Sequence, residues 1–342
     1  MSSIVIQSSN VLCAIGRGSQ QAWASARAGI ARIVNSGVMD GRFDPIQMGL
    51  VPEDALGQLT PDISRLPLPT RARRMLRLAT PALQGLSVDT SAPMRLFLGA
   101  PRLTPAEAPW LRHFPQYLQT LSGLPIDVAR SIVIPQGRAA ALLALEAAVN
   151  ALQEDASSPV IVGGVDSFLD LRLLSALSDE GRVLGPRIMD GFIPGEGAAF
   201  LVVASSDTGI RIDAVANFDD PGHRYGSAPA RGEGLAEALN VLRGRLPASI
   251  PPVGVTFAGF NGEGFEAKLW GVAQLRHRDF FAPDMALEHP ADKYGDAGAA
   301  TGAILSAIAT VALRDTSRAG PALVWAASDY DPRACALLSV SP

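Results

Sequence analysis

The chain has 342 residues, of which 48% are hydrophobic and 18% charged, and its formal net charge is −4. A chain of this length and composition can bury a large core, either as one α/β unit or as two fused halves. Because the charges are dispersed and form no basic stripe, the composition argues against a nucleic-acid partner.

No basic segment followed by a long apolar run opens the chain, and no run of about eighteen apolar residues predicts a membrane span. We therefore expect a cytoplasmic protein with no membrane partner. Cys13 and Cys335 are the only cysteines, and the four histidines are scattered without ligand spacing. This pattern favours a reducing compartment and predicts no disulfide framework, no metal site and no cofactor.

Short β-branched segments alternate with alanine-rich helical segments in the first half of the sequence. Helices are predicted at about residues 20–28 and directly after Arg138, and residues 40–93, richer in Pro and Arg, are interpreted as a cap over a sheet. The predicted strands are 4–7, 95–100, 131–134, 159–164 and 197–205. This alternation is typical of an α/β layered fold.

From Ile210 onward the same order of elements begins again. Strands are predicted at 211–218, 253–260, 322–328 and 334–340, and helices at about 232–242, 264–276 and 297–313. The repeated order predicts two similar halves, residues 1–205 and residues 206–342.

Two adjoining glycine-rich segments carry the most specific pattern in the sequence, GGVDSFLDL from Gly163 and DGFIPGEGAAFLVV from Asp190. The glycines predict turns with positive φ, and the carboxylate within the second segment is interpreted as holding loop backbone together. The predicted structural residues are Gly163, Gly164, Asp190, Gly195, Glu196 and Gly197.

Together these segments resemble the β-ketoacyl-ACP synthases of the thiolase-like superfamily. The resemblance runs from VLCAIGRGSQQAW near the N-terminus, through APARGEGLAEAL, to GDAGAATGA, and so covers nearly the whole chain. It implies a five-layer αβαβα fold made of two similar halves, a homodimer, and an active site between the halves at the end of a tunnel.

Enzymes of this family use a Cys nucleophile at the start of a buried helix, with two His residues, or a His and an Asn, that polarise the thioester. The family's spacing from Gly163 and Gly164 implies Arg138 at the nucleophile position. The same comparison implies Asn261 in place of the first His and Asp296 in place of the second. The resemblance therefore implies a member that lacks all three catalytic side chains.

Further substitutions surround these positions. Glu263 and Phe265 replace two Thr that line the pantetheine arm in the family, and Lys293 lies near the second His position. Tyr330 falls in SDYDPR, where the family has a Gly-Phe-Gly-Gly gating loop. These four residues are candidate substrate-binding residues.

Arg138 stays protonated at every relevant pH, so it can bind or brace but cannot act as a nucleophile or base. Because a cation at a helix N-terminus opposes the macrodipole, we expect a partner anion, for which Asp296 and Glu263 are the candidates. We predict that Arg138 pairs with Asp296, that Asn261 is hydrogen-bonded beside them, and that this polar cluster fills the catalytic centre. We expect Cys13 and Cys335 to be core thiols and His289 to be a loop imidazole.

Three functions remain open at this point. The first is a pseudoenzyme of fatty-acid or polyketide type, a structural or regulatory subunit whose partner is an active synthase or an acyl carrier protein. The second is an acyl-thioester decarboxylase or hydrolase that uses Asn261 as an oxyanion donor and Asp296 as a base. The third is a genuine condensing acyltransferase, a 3-oxoacyl synthase, if the register of the resemblance is wrong.

Overall fold

The computed structural model describes residues 3–88, 91–103 and 108–340. The strands in these ranges are β1 (Ser3–Cys13), β2 (Gly16–Arg17), β3 (Val34–Met39), β4 (Pro45–Met48), β5 (Leu96–Ala100), β6 (Ile132–Pro135), β7 (Val160–Ser167), β8 (Glu196–Ser206), β9 (Ile210–Asp219), β10 (Val253–Ala258), β11 (Phe281–Glu288), β12 (Ala322–Ala327) and β13 (Pro332–Val340). The helices are α1 (Ser19–Arg27), α2 (Pro61–Ser64), α3 (Thr70–Gln84), α4 (Phe114–Ser122), α5 (Ala140–Glu154), α6 (Leu171–Asp179), α7 (Gly234–Gly244), α8 (Gly264–Arg276), α9 (Ala291–Tyr294) and α10 (Thr301–Arg314).

The large sheet repeats one strand order twice. The first half runs β6-β5-β7-β8-β1 and the second runs β11-β10-β12-β13-β9. In both halves the first three strands are parallel and the last two are joined antiparallel. The half-sheets meet through a short antiparallel contact, in which Val5 faces Arg211 and Ile6 faces Ile210. The predicted fold of two similar halves is therefore confirmed.

The innermost layer consists of α5 and α10, and each of them contacts strands of both half-sheets. Both helices are rich in Ala, which lets the backbones approach closely. A Cβ atom on Gly99 of β5 would lie 2.5 Å from the backbone nitrogen of Ala141, so this contact requires glycine. The strands on either side, β7 and β12, are buried along their whole length, as expected for strands covered on both faces.

The outer layers cover the opposite faces of the half-sheets. On one side α3 packs against β1, β7 and β8, with α4 beside it, and on the other α7 packs against β9 and β13 beside α8. These layers complete the predicted five-layer αβαβα arrangement.

Several elements lie where the sequence pattern predicted none, among them α3 and β11. The 15-residue helix α3 falls within the segment 40–93 that was interpreted as a cap, and it packs its apolar side on the sheet; four charged residues in its first half, and Pro81 within it, obscure the helical pattern. Strand β11 lies at the edge of the second half-sheet, where Pro283 and the charged Asp284 interrupt the apolar alternation.

Candidate functional site

The turn before α5 lies at the centre of the molecule, between the two halves. Gly137 adopts φ +71°, a left-handed conformation that favours glycine, and the chain then enters α5 through a short 3-10 turn. Ser328, which follows β12 of the other half, ties this turn down. Its hydroxyl accepts the N–H of Ala139 at 3.0 Å and donates to the carbonyl oxygen of Gln136.

Arg138 is buried, with 4% of its side chain exposed. Its Nε donates to Oδ2 of Asp296 at 2.5 Å, and its Nη1 lies 2.8 Å from Oδ2 of Asp329. The rings of Phe168 and Phe192 lie 5.9 and 5.2 Å from its guanidinium carbon. The predicted pairing with Asp296 is confirmed, and Asp329 is a second partner that the sequence did not indicate.

Asp296 is fixed from both sides. Its Oδ1 accepts a hydrogen bond of 2.8 Å from the N–H of Gly298, which lies in the turn that leads into α10. Its Oδ2 accepts the hydrogen bond from Nε of Arg138. Asn261 donates through Nδ2 to Oε2 of Glu263 at 2.7 Å, and the same Nδ2 lies 3.4 Å from Oδ2 of Asp296. Asn261 is therefore beside the pair, as predicted, and its stronger bond goes to Glu263.

Glu263 is the second buried acceptor of this centre, but it does not contact Arg138. Arg182 binds both of its carboxylate oxygens, at 2.9 and 2.7 Å, and Arg224 lies 3.0 Å from it. Arg182 also donates to Asp329 at 2.8 Å. The proposal of Glu263 as a partner for Arg138 is wrong, because the planar guanidinium of Arg182 already binds it in a two-pronged geometry.

These groups form one network, which we call the Arg138 cluster: Arg138, Arg182, Arg224, Glu263, Asp296 and Asp329. The three guanidinium groups face three carboxylates, so the charges balance within it. Burial tends to raise the pKa of Asp329, but Arg138 and Arg182 outweigh it and hold that pKa well below its usual range. The cluster is therefore a charge-balanced set of ion pairs, in which Nη2 of Arg138 and Nε of Arg224 have no hydrogen-bond acceptor among the described residues.

Glu266 lies next to the cluster, on the first turn of α8, and is buried. Burial raises its pKa to about 8, although the charge of Arg138 opposes the shift. One of its carboxyl oxygens accepts the N–H of Asn261 at 2.6 Å. At neutral pH Glu266 is therefore mostly protonated and does not disturb the charge balance.

The glycine-rich segments pack tightly around this centre. A Cβ on Gly163 would lie 2.1 Å from the Phe200 ring, and one on Gly164 would lie 2.4 Å from the carbonyl oxygen of Ala299. Gly195 and Gly197 leave comparably little room, with backbone oxygens 2.7 Å and 3.0 Å from their added Cβ atoms.

Glu196 and Asp190, in the second of these segments, both bind backbone, as the sequence interpretation of Glu196 anticipated. Glu196 is fully buried, and its oxygens accept the N–H of Val51 at 2.9 Å and the guanidinium of Arg74 at 2.6 and 2.9 Å. Asp190 accepts the N–H of Gly264, at the start of α8, at 2.6 Å.

The other candidate residues are spread over different surroundings. The Phe265 ring lies under the guanidinium of Arg224, with 4.8 Å between the guanidinium carbon and the ring centre. Tyr330 lines a cavity in front of the Arg138 turn. Lys293 instead binds Asp292 at 2.8 Å near the surface and makes no contact with the cluster among the described residues.

Cys13 and Cys335 are buried in the sheet, and burial raises the pKa of the Cys13 thiol to about 11. His289 is half exposed and lies 3.8 Å from Asp292.

In the described part of the chain no group of three or more His, Cys, Asp or Glu side chains is placed to hold a metal ion. Among the described helices, none has the length and apolarity to cross a membrane.

Sequence reasoning missed Arg182, Arg224 and Asp329. Asp329 lies in SDYDPR, so the acidic replacement of a gating loop was the available signal. Arg182 lies in the loop between α6 and β8, and Arg224 lies in the loop after β9. Nothing in the local sequence distinguishes either of them from a surface arginine.

Comparison with known proteins agrees with this geometry. Residues 129–208, which include the Arg138 turn and both glycine-rich segments, match the model of the β-ketoacyl synthase N-terminal domain. A search of curated proteins found no match to the sequence. Residues 129–208 are therefore similar to the N-terminal domain of the β-ketoacyl synthases.

Several solved structures share the fold over 99% of this chain. One is the ishigamide ketosynthase/chain length factor, with 17% identity, a TM-score of 0.73 and 100% of that chain covered. A second is AntDE:AntF, a type II PKS acyl-carrier protein in complex with its ketosynthase, with 14% identity, a TM-score of 0.75 and 99% coverage. A third is the ketosynthase from module 6 of the bacillaene synthase of Bacillus subtilis 168, with 15% identity, a TM-score of 0.73 and 72% coverage.

Proposed function

We propose that the protein is a non-condensing homologue of the β-ketoacyl synthases that serves as a structural or regulatory subunit in polyketide or fatty-acid synthesis. The observation that carries this proposal is the state of Arg138, whose side chain occupies the turn before α5 and is bound by Asp296 and Asp329. A guanidinium held in this way can neither attack a thioester nor accept a proton.

The remaining nucleophiles support the proposal. Cys13 and Cys335 are buried, and because burial raises the pKa of both thiols, neither is a thiolate at neutral pH. Ser328 lies beside the turn, but its hydroxyl is bonded to backbone on both sides. It has no histidine as a hydrogen-bonding partner among the described residues, so nothing there activates it.

We assign an active β-ketoacyl synthase as the partner, with an acyl carrier protein serving the pair. The names of two structures with this fold, a ketosynthase/chain length factor and a carrier protein in complex with its ketosynthase, motivate this assignment. A homodimer without an active subunit is the alternative assembly.

The second candidate function, a decarboxylase or hydrolase, would use Asn261 as an oxyanion donor and Asp296 as a base. Asp296 has each oxygen engaged by a donor, and Asn261 directs its amide to Glu263. Because both carboxylate oxygens already accept hydrogen bonds, neither is free to take a proton from a substrate, so this function has weaker support. Hydrolysis or decarboxylation of malonyl or acyl thioesters that is lost in Asp296→Ala would establish it.

The decisive experiment uses an affinity-tagged full-length chain purified from its own cells. The isolated material is incubated with acyl carrier protein loaded with an acyl or malonyl group, and each protein is then weighed by intact-mass spectrometry. We expect this chain to keep its mass while a co-purified synthase gains the acyl group. An acyl adduct on this chain, or a 3-oxoacyl product formed by this chain alone, would overturn the proposal.

A further inference from the structure

A cavity of about 210 Å³ opens in front of the Arg138 turn. Four guanidinium groups and three carboxylates line it, and two of the guanidinium groups belong to the Arg138 cluster, where carboxylates already bind them. The other two are Arg71 and Arg102. Whether this cavity can hold a ligand depends on the donors that these two side chains have free.

Arg71 lies in the first turn of α3, and 14% of its side chain is exposed. Its Nη2 donates to Oδ1 of Asp166 at 2.7 Å, whereas its buried Nε has no hydrogen-bond acceptor in the described part of the chain. Asp166 also accepts the backbone N–H groups of Ser167 and Ala299, at 2.7 and 3.0 Å. Because three donors share this carboxylate, it satisfies only part of the hydrogen-bonding capacity of the Arg71 guanidinium.

Arg102 stands on the rim of the same cavity. Its guanidinium carbon lies 3.9 Å from the centre of the Tyr330 ring, and the nearest carboxylate among the described residues, that of Asp331, is 4.0 Å from its Nη1. Stacking on the ring fixes the plane of the guanidinium and leaves its N–H groups along the edge, where they can donate. No hydrogen-bond acceptor among the described residues takes them up.

Apolar side chains also line the cavity, and we call them its apolar wall. Phe168 and Leu177 are buried behind it, Leu173 is half-buried, and the ring of Tyr225 closes the side next to Tyr330. A ligand that satisfies both walls carries a negative charge at one end and a short apolar body at the other.

We propose that this cavity binds a small organic acid, with its carboxylate on Arg71 and Arg102 and its apolar body against Phe168 and Leu177. Arg102 supplies orientation through its fixed plane, and Arg71 supplies the more buried contact. The inference is independent of the proposed function, because it needs only the cavity and its side chains and requires neither catalysis nor a partner.

The test is a ligand-observed NMR titration of the purified full-length protein with butanoate at pH 7. Butanamide, which has the same size and shape without the charge, is the matched ligand control, and inorganic phosphate is the matched anion control. The protein variant is Arg102→Gln, since Arg102 is half exposed and its loss leaves the core intact. Arg65→Gln, at an exposed arginine paired with Asp62, is the control variant.

We expect saturable binding of butanoate, weaker binding of butanamide and of phosphate, and a Kd for butanoate about tenfold higher in Arg102→Gln, because one charge-assisted interaction is lost. Arg65→Gln should bind as the unmodified protein does. The proposal is wrong if butanoate does not bind, if butanamide binds equally well, or if Arg102→Gln leaves the Kd unchanged. Equal binding of phosphate would also overturn it, because the apolar wall would then contribute nothing.

Discussion

Replacing Arg138 by Met tests whether the Arg138 cluster is a balanced set of buried ion pairs. Met keeps much of the volume of the side chain and removes its charge. In the variant Asp329 would keep Arg182, 2.8 Å away, as a partner, whereas Asp296 would keep the N–H of Gly298 and the weak contact of Asn261 at 3.4 Å. Arg138→Met therefore leaves one carboxylate buried without a counter-charge.

Removal of one partner from a buried pair costs about 3–5 kcal/mol, and we expect Arg138→Met to lower the free energy of unfolding by this amount. Asp296→Asn should cost less, about 1.5–3 kcal/mol for a lost hydrogen bond to a charged group, because Arg138 keeps Asp329 and the amide oxygen still accepts from Gly298. In the double variant the uncompensated carboxylate is gone, so the two losses should not add.

The measurement is urea denaturation at pH 7, followed by circular dichroism, with the slope compared across variants to confirm that the same surface unfolds. Arg65→Met, at a mostly exposed arginine, is the matched control and should leave the midpoint nearly unchanged. A loss below about 1 kcal/mol for Arg138→Met, or additive losses in the double variant, would show that the cluster is hydrated and open.

Three further predictions concern Glu266, Gly164 and the two buried cysteines. Because the pKa of Glu266 is raised to about 8 in the folded protein, it contributes stability that is present below about pH 4.5 and is lost as the pH rises through 8, so Glu266→Gln should flatten that decline in urea midpoints measured from pH 5 to 9. Gly164→Ala should reduce the yield of folded protein or lower the Tm by several degrees in calorimetry, since its Cβ would lie 2.4 Å from the oxygen of Ala299; an unchanged Tm would contradict the close approach. Cys13 and Cys335 should resist iodoacetamide in the native protein and react in urea, as read by intact mass, and rapid native labelling would show that one of them is accessible.

Most strands of the sheet and the Arg138–Asp296 contact were predictable for different physical reasons. Strands buried on both faces read as apolar runs, so most of the sheet was visible in the sequence, whereas β11 at the edge and the charged start of α3 were not. The contact with Asp296 was predicted because the family resemblance placed both residues at catalytic positions and because a buried arginine requires an anion.

The rest of the site depends on where loops distant in sequence come together. Glu263 was a plausible partner for Arg138 until Arg182, 81 residues away, occupied both of its oxygens. Asp329 and Arg224 join the same centre from loops that carry no regular pattern. Pairings of this kind are set by the packing of the two halves, and no local periodicity encodes them.

The strand order also constrains how the chain acquires its structure during synthesis. Ser3 of β1 pairs with Ser206 of β8, and Ile210 of β9 pairs with Val340 of β13. Each half-sheet is thus closed by joining its earliest segment to its latest, which requires two long loops to be ordered before the contacts form. On the ribosome the first half-sheet can close once β8 has emerged. The second half-sheet cannot close until β13 has emerged and can pair with β9. Until β13 pairs with β9, the backbone groups that join these two strands stay exposed, and unpaired strand edges of this kind are prone to aggregation.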